Sequence, residues 1–331
     1  MESEWDMTGK YEIEVYNKRV HYHLTVKRNI TILQGNSATG KTELLRMIGD
    51  YGNNGISSGI TIICARRCVV IENAFWKEQL QALSQCIIFI DEGASFLQSI
   101  EFTRMVKGSD NYFVLVTRDS LEQLPYSIEE IYGMRQERDS QKYKNTRKIY
   151  NETYQLYNAK PNEMICPEIV LTEDSNSGYE FYKALFGELC FSAEGKSNIL
   201  HCLQENMEKR ILAIVDGAAF GSEMQRIMRY IYDAEKQIVL YAPESFEYLL
   251  LKSELTGSTY HITEETYEYA DSRKYFSWEE FYTDYLVQNT KDTIYQYSKK
   301  KLPLAYLTTG SMKRIQNQIP EKIMKAVKIR H

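Results

Sequence analysis

The sequence predicts an α/β protein of two domains: a parallel sheet opened by a β-hairpin, then a second, smaller parallel α/β sheet with a helical C-terminal tail. Three observations carry this. A buried strand runs through a glycine-rich loop into an amphipathic helix at ITILQGNSATGKTELLRMI, residues 30–48. A second apolar strand, Ile87 to Ile90, ends in adjacent acids, Asp91 and Glu92. From residue 167 onward, strand and helix patterns alternate and acids stand at the strand ends.

The 331 residues suit two modest domains or one large one, and 43% apolar with 26% charged residues is ordinary for a globular chain. A net charge of −5 excludes an overall basic protein. Charge is uneven, however. The tail carries Lys299, Lys300, Lys301, Lys313, Arg314, Lys322, Lys325, Lys328 and Arg330 against Glu321. Such a run reads first as a solvated helical face and second as a surface for a phosphate backbone. The six cysteines lack the spacing of a zinc site, and Cys86, Cys190 and Cys202 read as buried thiols. The start, MESEWDMTGK, has no charged-then-apolar leader, and no apolar run reaches the ~20 residues that span a bilayer. These features predict a cytoplasmic protein without membrane contact.

The elements follow in order. YEIEVY (11–16) and VHYHLTV (20–26) alternate around Asn17-Lys18-Arg19 and predict a hairpin of half-buried strands. NITIL (29–33) is a buried strand. GNSATGKT (35–42) follows, and Leu44, Leu45, Met47 and Ile48 mark one face of a helix. Gly35 and Gly40 permit backbone angles that let the loop curl. Its amides, from Gly35 through Asn36, Ser37, Ala38 and Thr39 to Gly40, Lys41 and Thr42, suit an anion at a helix start. Lys41 reaches the outer phosphates of a nucleotide, and the Thr42 hydroxyl joins a Mg²⁺ shell. The acids after Ile90 complete the set, with Asp91 as a metal ligand and Glu92 polarising the attacking water. GITIIC (59–64) and NYFVLVTRDS (111–120) add strands to the same sheet. Thr117 and Arg118 follow the latter, and Arg66, Arg67 and Arg118 are candidates for an arginine finger.

This combination of strand, G-x-x-x-x-G-K-T loop, helix and acid-ended strand resembles P-loop NTPases with Walker A and Walker B motifs. The Asp-Glu pair is more similar to ATP hydrolases than to nucleotide kinases. The opening hairpin is similar to that of ABC-type ATPases. No LSGGQ-like signature stands between Lys41 and Asp91, so the resemblance implies a reduced ATPase core over residues 1–133. Residues 134–164, poor in aliphatic core residues, read as a polar linker, or as an exposed helix or hairpin between domains.

Residues 165–331 form the second predicted domain. Strands Glu168 to Leu171 and Ile211 to Val215 end in Glu173-Asp174 and Asp216, and KQIVLYAPESFEYLLLK (236–252) repeats strand and helix. Phe181, Ala184 and Leu185 mark a helix face between them. GKS (195–197) reads as a helix start with Ser197 as cap. SWEEFYTDYLV (277–287) places Trp278, Phe281, Tyr285 and Leu286 on an apolar helix face. Acids at the carboxyl ends of a parallel sheet converge on one edge.

Over about residues 165–260 this Rossmann-like pattern resembles a TOPRIM domain, as in topoisomerases, primases and overcoming-lysogenization-defect (OLD) family nucleases. The resemblance implies that Glu173 is the glutamate after the first strand, Asp216 the first aspartate of an Asp-x-Asp, and Glu247 the acid of FEYLLL (246–251). It implies that these three hold Mg²⁺, with Glu173 and Asp216 catalytic, for phosphodiester cleavage. Ala218 departs from the pattern at the second aspartate, where Asp174 or Glu244 would have to substitute. Two functions follow. One is an ATPase whose second domain cleaves nucleic acid, by family analogy in bacterial anti-phage or mobile-element defence. The other is an ATP-controlled, non-catalytic switch that binds a protein or nucleic-acid partner. Expected partners are nucleic acid, further copies of the chain, or another protein of a defence complex. A small-molecule phosphotransferase is disfavoured by Asp91-Glu92.

Overall fold

The computed structural model describes residues 7–35, 40–136, 148–157, 166–233 and 238–328. The chain is α/β and divides into two compact units, Met1–Tyr157 with Tyr267–Phe276, and Asn158–Thr266 with Ser277–His331. Among the described residues no helix is long and apolar enough to cross a membrane.

In the first unit the strands are β1 (Tyr11–Tyr16), β2 (Val20–Val26), β3 (Ile30–Leu33), β4 (Thr61–Ile63), β5 (Arg67–Ile71), β6 (Cys86–Ile90), β7 (Tyr112–Val116), β8 (Ile131–Gln136) and β9 (Ile149–Gln155). They form one mixed sheet in the order β4-β1-β2-β9-β8-β3-β7-β6-β5. β1 and β2 make the expected antiparallel hairpin, while β3, β7, β6 and β5 run parallel. The helices are α1 (Lys41–Asn54), α2 (Trp76–Gln81) and α3 (Ile100–Val106).

The two outermost strands, β4 and β5, are neighbours in sequence. Ile63 to Arg67 is four steps, at most about 14 Å, whereas nine flat strands would be about 38 Å wide. The sheet must therefore curl until its edges meet. α1 packs in the concavity, where Leu44, Leu45, Met47 and Ile48 join Ile13, Val15, Tyr22, Leu24, Phe89 and Val114 in one buried cluster. That burial, at roughly 25 cal/mol per Å² of apolar surface, holds the helix start against the strand ends.

Of the readings offered for residues 134–164, the hairpin is the one that matches this sheet, though it belongs to the first unit. β8 and β9 are an antiparallel pair, and β9 lies parallel to β2, so the first unit extends to Tyr157. Residues 137–147 and 158–165 lie outside the described residues. Tyr267–Phe276 also returns to this unit. Tyr267 O accepts the Gly9 N–H at 2.6 Å, and Phe276 O accepts from Asn29 Nδ2 at 2.8 Å.

The second unit holds β10 (Ile169–Thr172), β11 (Cys190–Ser192), β12 (Ile211–Ile214) and β13 (Ile238–Tyr241), all parallel, in the order β11-β10-β12-β13. Its helices are α4 (Ser177–Phe186), α5 (Ile199–Glu205), α6 (Gly221–Asp233), α7 (Phe246–Lys252), α8 (Tyr260–Glu264), α9 (Trp278–Asn289), α10 (Thr309–Gln316) and α11 (Glu321–Lys328). On α4 the inward face is Phe181, Tyr182 and Phe186, and Ala184 is exposed. On α9, Trp278, Phe281 and Leu286 are buried as expected, with Tyr282 rather than Tyr285 completing the face. Cys86 and Cys190 are buried, but Cys202 is only half-buried. Ser197 caps nothing, because α5 starts at Ile199 after Asn198 without a side-chain cap. The tail is not a single solvated face. Ile315, Ile319 and Ile323 are buried, Lys299 pairs with Glu279, and Arg314 donates to Glu254 O at 3.0 Å.

Candidate functional site

In the first unit the site is built where α1 begins. Gly35 and Gly40 both have positive φ, 134° and 89°. At Gly40 the reason is local as well as conformational: a Cβ there would lie 2.9 Å from Tyr22 Oη, which donates to Gly40 O at 3.0 Å. Tyr22 thus braces the helix start from β2. It was legible only as an inward position of the alternating VHYHLTV, not as a site residue. Asn36, Ser37, Ala38 and Thr39 lie outside the described residues. Lys41 is buried, and its Nζ folds back to donate to Gly35 O at 3.0 Å. Burial pushes its ammonium below the usual lysine range. The N-cap position of α1 is Gly40, which has no side chain to accept from the first-turn N–H groups.

Asp91 and Glu92 follow β6, at the carboxyl ends of the parallel strands. β7 lies between β3 and β6, so the loop and the acids meet across one intervening strand. Thr42 and Asp91 line the same hollow, of about 380 Å³, with Asp50 and Asn53 of α1 and Glu72 and Asn73 after β5. Asp91 Oδ1 accepts the Glu92 N–H at 2.8 Å. Arg118 grips Glu92 with two hydrogen bonds, Nε to Oε2 and Nη2 to Oε1, both 2.8 Å. Thr117 turns away, its hydroxyl donating to Asp119 O at 2.8 Å. Arg66 and Arg67 stand at the opposite end of the sheet. Arg67 pairs in register with Cys86 at the start of β6, while Asp91 follows its end. Within this chain neither reaches the hollow.

A Mg²⁺ ion suits this first site, since magnesium takes one or two protein oxygens and completes its shell with phosphate and water. Thr42 and Asp91 offer a hydroxyl and a carboxylate of this kind, both lining one hollow.

In the second unit the structure brings Glu173, Asp216 and Glu247 to one small hollow between β10, β12 and α7. Its free space is about 20 Å³, enough for a single water-sized body. The carboxylates are engaged there by the fold itself. Glu173 Oε2 accepts the Asp216 N–H at 3.0 Å, Asp216 Oδ1 accepts the Phe246 N–H at 3.1 Å, and Glu247 Oε1 accepts from Tyr297 Oη at 2.7 Å. Burial pushes all three upward, Glu173 to about 7, with nearby carboxylates including Glu279 adding to the effect. Among the described residues no three His, Cys, Asp or Glu side chains are arranged to hold a metal ion. The three acids expected to hold Mg²⁺ thus share one hollow without forming a three-carboxylate cluster among the described residues; each instead accepts a hydrogen bond from its own unit, Glu173 and Asp216 from backbone N–H groups and Glu247 from Tyr297. Asp174 does not substitute, because its oxygens accept from Asn176 N and Nδ2 at 3.3 and 2.9 Å. Glu244 touches the motif through its backbone, taking the Ala218 N–H at 2.9 Å.

Two buried polar atoms at this hollow have no partner, Glu247 Oε2 and Tyr182 Oη. No family model, no curated protein and no solved structure matches the chain.

Proposed function

We propose that the first unit binds and hydrolyses ATP at the start of α1, and that the second unit, governed by nucleotide occupancy, binds a protein or nucleic-acid partner without cutting it. One observation carries the first half: Thr42 and Asp91 line one hollow at the start of a fourteen-residue helix whose N-cap is a glycine. The chemistry follows from the residues. The loop amides and helix start attract the triphosphate. Lys41 exchanges the Gly35 carbonyl for a phosphate oxygen, a stronger, charge-assisted bond. A magnesium ion held by Thr42 and Asp91 would neutralise charge developing on the transferred phosphoryl group. Glu92 accepts the proton of the attacking water, and Arg118 sets the orientation of its carboxylate.

The non-cutting role rests on Ala218 and on the engagement of Glu173, Asp216 and Glu247 by backbone amides and Tyr297. One observation favours the alternative of divalent-dependent phosphodiester cleavage: Glu247 Oε2 is buried without a partner. The test is direct. Purified protein should turn over ATP steadily with no acceptor present, and Glu92→Gln should abolish this while retaining nucleotide binding. Plasmid and RNA should stay intact in Mg²⁺ or Mn²⁺, with and without ATP. Cleavage lost in Glu173→Ala would establish the alternative.

A further inference from the structure

The turn Cys64-Ala65-Arg66 joins β4 to β5, and so ties together the two edges of the curled sheet. Two thiols meet at this seam. Cys64 Sγ accepts the Arg66 N–H at 3.5 Å, and the Cys68 thiol donates to the Arg66 carbonyl at 3.9 Å. Both sulfurs therefore bond the backbone of one residue. Arg66 is anchored from both sides of the seam. Its Nε donates to Tyr11 Oη of β1 at 3.0 Å, and its Nη1 donates to Gln85 Oε1, just before β6, at 2.5 Å. Ala65 and Arg67 are exposed and the two cysteines half-buried, so a small reagent can reach the pair.

We propose that Cys64 and Cys68 are a redox-active dithiol, which closes to an intramolecular disulfide across this turn on reaction with a low-molecular-weight disulfide. The Cys64 thiolate attacks one sulfur of the small disulfide. That S–S bond breaks, one small thiol leaves with a proton, and a mixed disulfide forms on Cys64. The Cys68 thiol gives up its proton and attacks the Cys64 sulfur, releasing the second small thiol. Two cysteine thiols are oxidised to one disulfide, and one small disulfide is reduced to two thiols.

Cys64 is the attacking member because the Arg66 N–H points at its sulfur, whereas the Cys68 thiol gives its proton to the Arg66 carbonyl. The neighbouring Cys68 pulls the Cys64 thiol down to about 7 against the effect of burial, so much of it is thiolate near neutral pH. Burial pushes the Cys86, Cys190 and Cys202 thiols the other way.

The test uses the native, reduced full chain and oxidised glutathione, followed by alkylation and trypsin. Cleavage at Arg66 and Arg67 puts the two cysteines on separate peptides, which stay together only through a disulfide. Expected is a chain lighter by two hydrogens, a joined Cys64–Cys68 peptide as the main product, and full reversal by dithiothreitol. Cys68→Ser should stop at a stable glutathione adduct on Cys64, and Cys64→Ser should slow reaction in this region at least tenfold. The same chain in denaturant should lose the preference for Cys64. A main product linking Cys68 to Cys86, glutathione spread evenly over Cys166 and Cys202, or no faster reaction of Cys64 in the native than in the denatured chain would overturn the proposal.

Discussion

Both units end parallel strands in acids, yet the two sets live in opposite surroundings. Asp91, half-buried, lines an open hollow together with Thr42, and the neighbouring Glu92 is exposed and held by a guanidinium. Glu173, Asp216 and Glu247 close around a space of about 20 Å³ and direct their oxygens at amides and a phenol of their own unit. The difference teaches that an acid at a strand end is only a position. Its role is decided by whether its lone pairs face a ligand or the fold, and by whether a cation stands near enough to keep it ionised.

The sharpest way to break this contrast is Glu92→Gln. If Glu92 acts on water, ATP turnover falls by about 10²- to 10⁴-fold. Stability should hardly move, because the pair with Arg118 is exposed and screened by solvent. Phosphate release together with a thermal melt reads both. Next comes Lys41→Ala, which removes a charge-assisted bond of about 3 kcal/mol and should weaken nucleotide binding about 100-fold, measured by titration calorimetry.

Gly40→Ala probes the brace rather than the chemistry. The left-handed φ and the contact with Tyr22 Oη at 2.9 Å should destabilise the first unit by about 1–3 kcal/mol. In a Tyr22→Phe background the penalty should shrink, since the clashing oxygen is gone; equal penalties would show that backbone strain alone matters.

An effect of similar size concerns the second unit. Glu173 is raised from 4.5 to about 7, so the folded state favours its protonated form. That contribution is complete below the unfolded value, near pH 4.5, and is lost as pH rises toward 7. Glu173→Gln retains an acceptor for the Asp216 N–H and carries no charge. It should be more stable than the parent at pH 8 by about 1–3 kcal/mol and similar at pH 4, in denaturant melts across that range. Were Mg²⁺ to raise the parent's stability at pH 8 but not the variant's, the two sets of acids would be alike after all.

Much of this was legible in the sequence, for identifiable reasons. Tyr22 and Leu24 alternate with exposed histidine, Leu44 and Ile48 repeat at helical spacing, and Ile87 to Ile90 run apolar because both faces of β6 are covered. What was not legible is held by the backbone or by polar groups. β8 and β9 pair through main-chain bonds while burying little beyond Ile131, Gly133, Met134 and Asn151, so their polar residues read as a linker. β5 escaped because Arg67 to Val70 shows no clean alternation and is only partly covered. Glu130, fully buried with Arg28 Nε at 3.2 Å, gave no periodic signal. In the second unit, strand-end position put Glu173 and Asp216 at one edge and the TOPRIM resemblance added Glu247, but neither carried information on which atoms their oxygens would meet.

The return of Tyr267–Phe276 to the first unit has a consequence for biosynthesis. As the chain leaves the ribosome, the partners of Gly9 and Asn29 arrive only after the sheet of the second unit has been made. The amino-terminal unit is thus finished late, and a fragment ended at Tyr157 would emerge with donors still waiting.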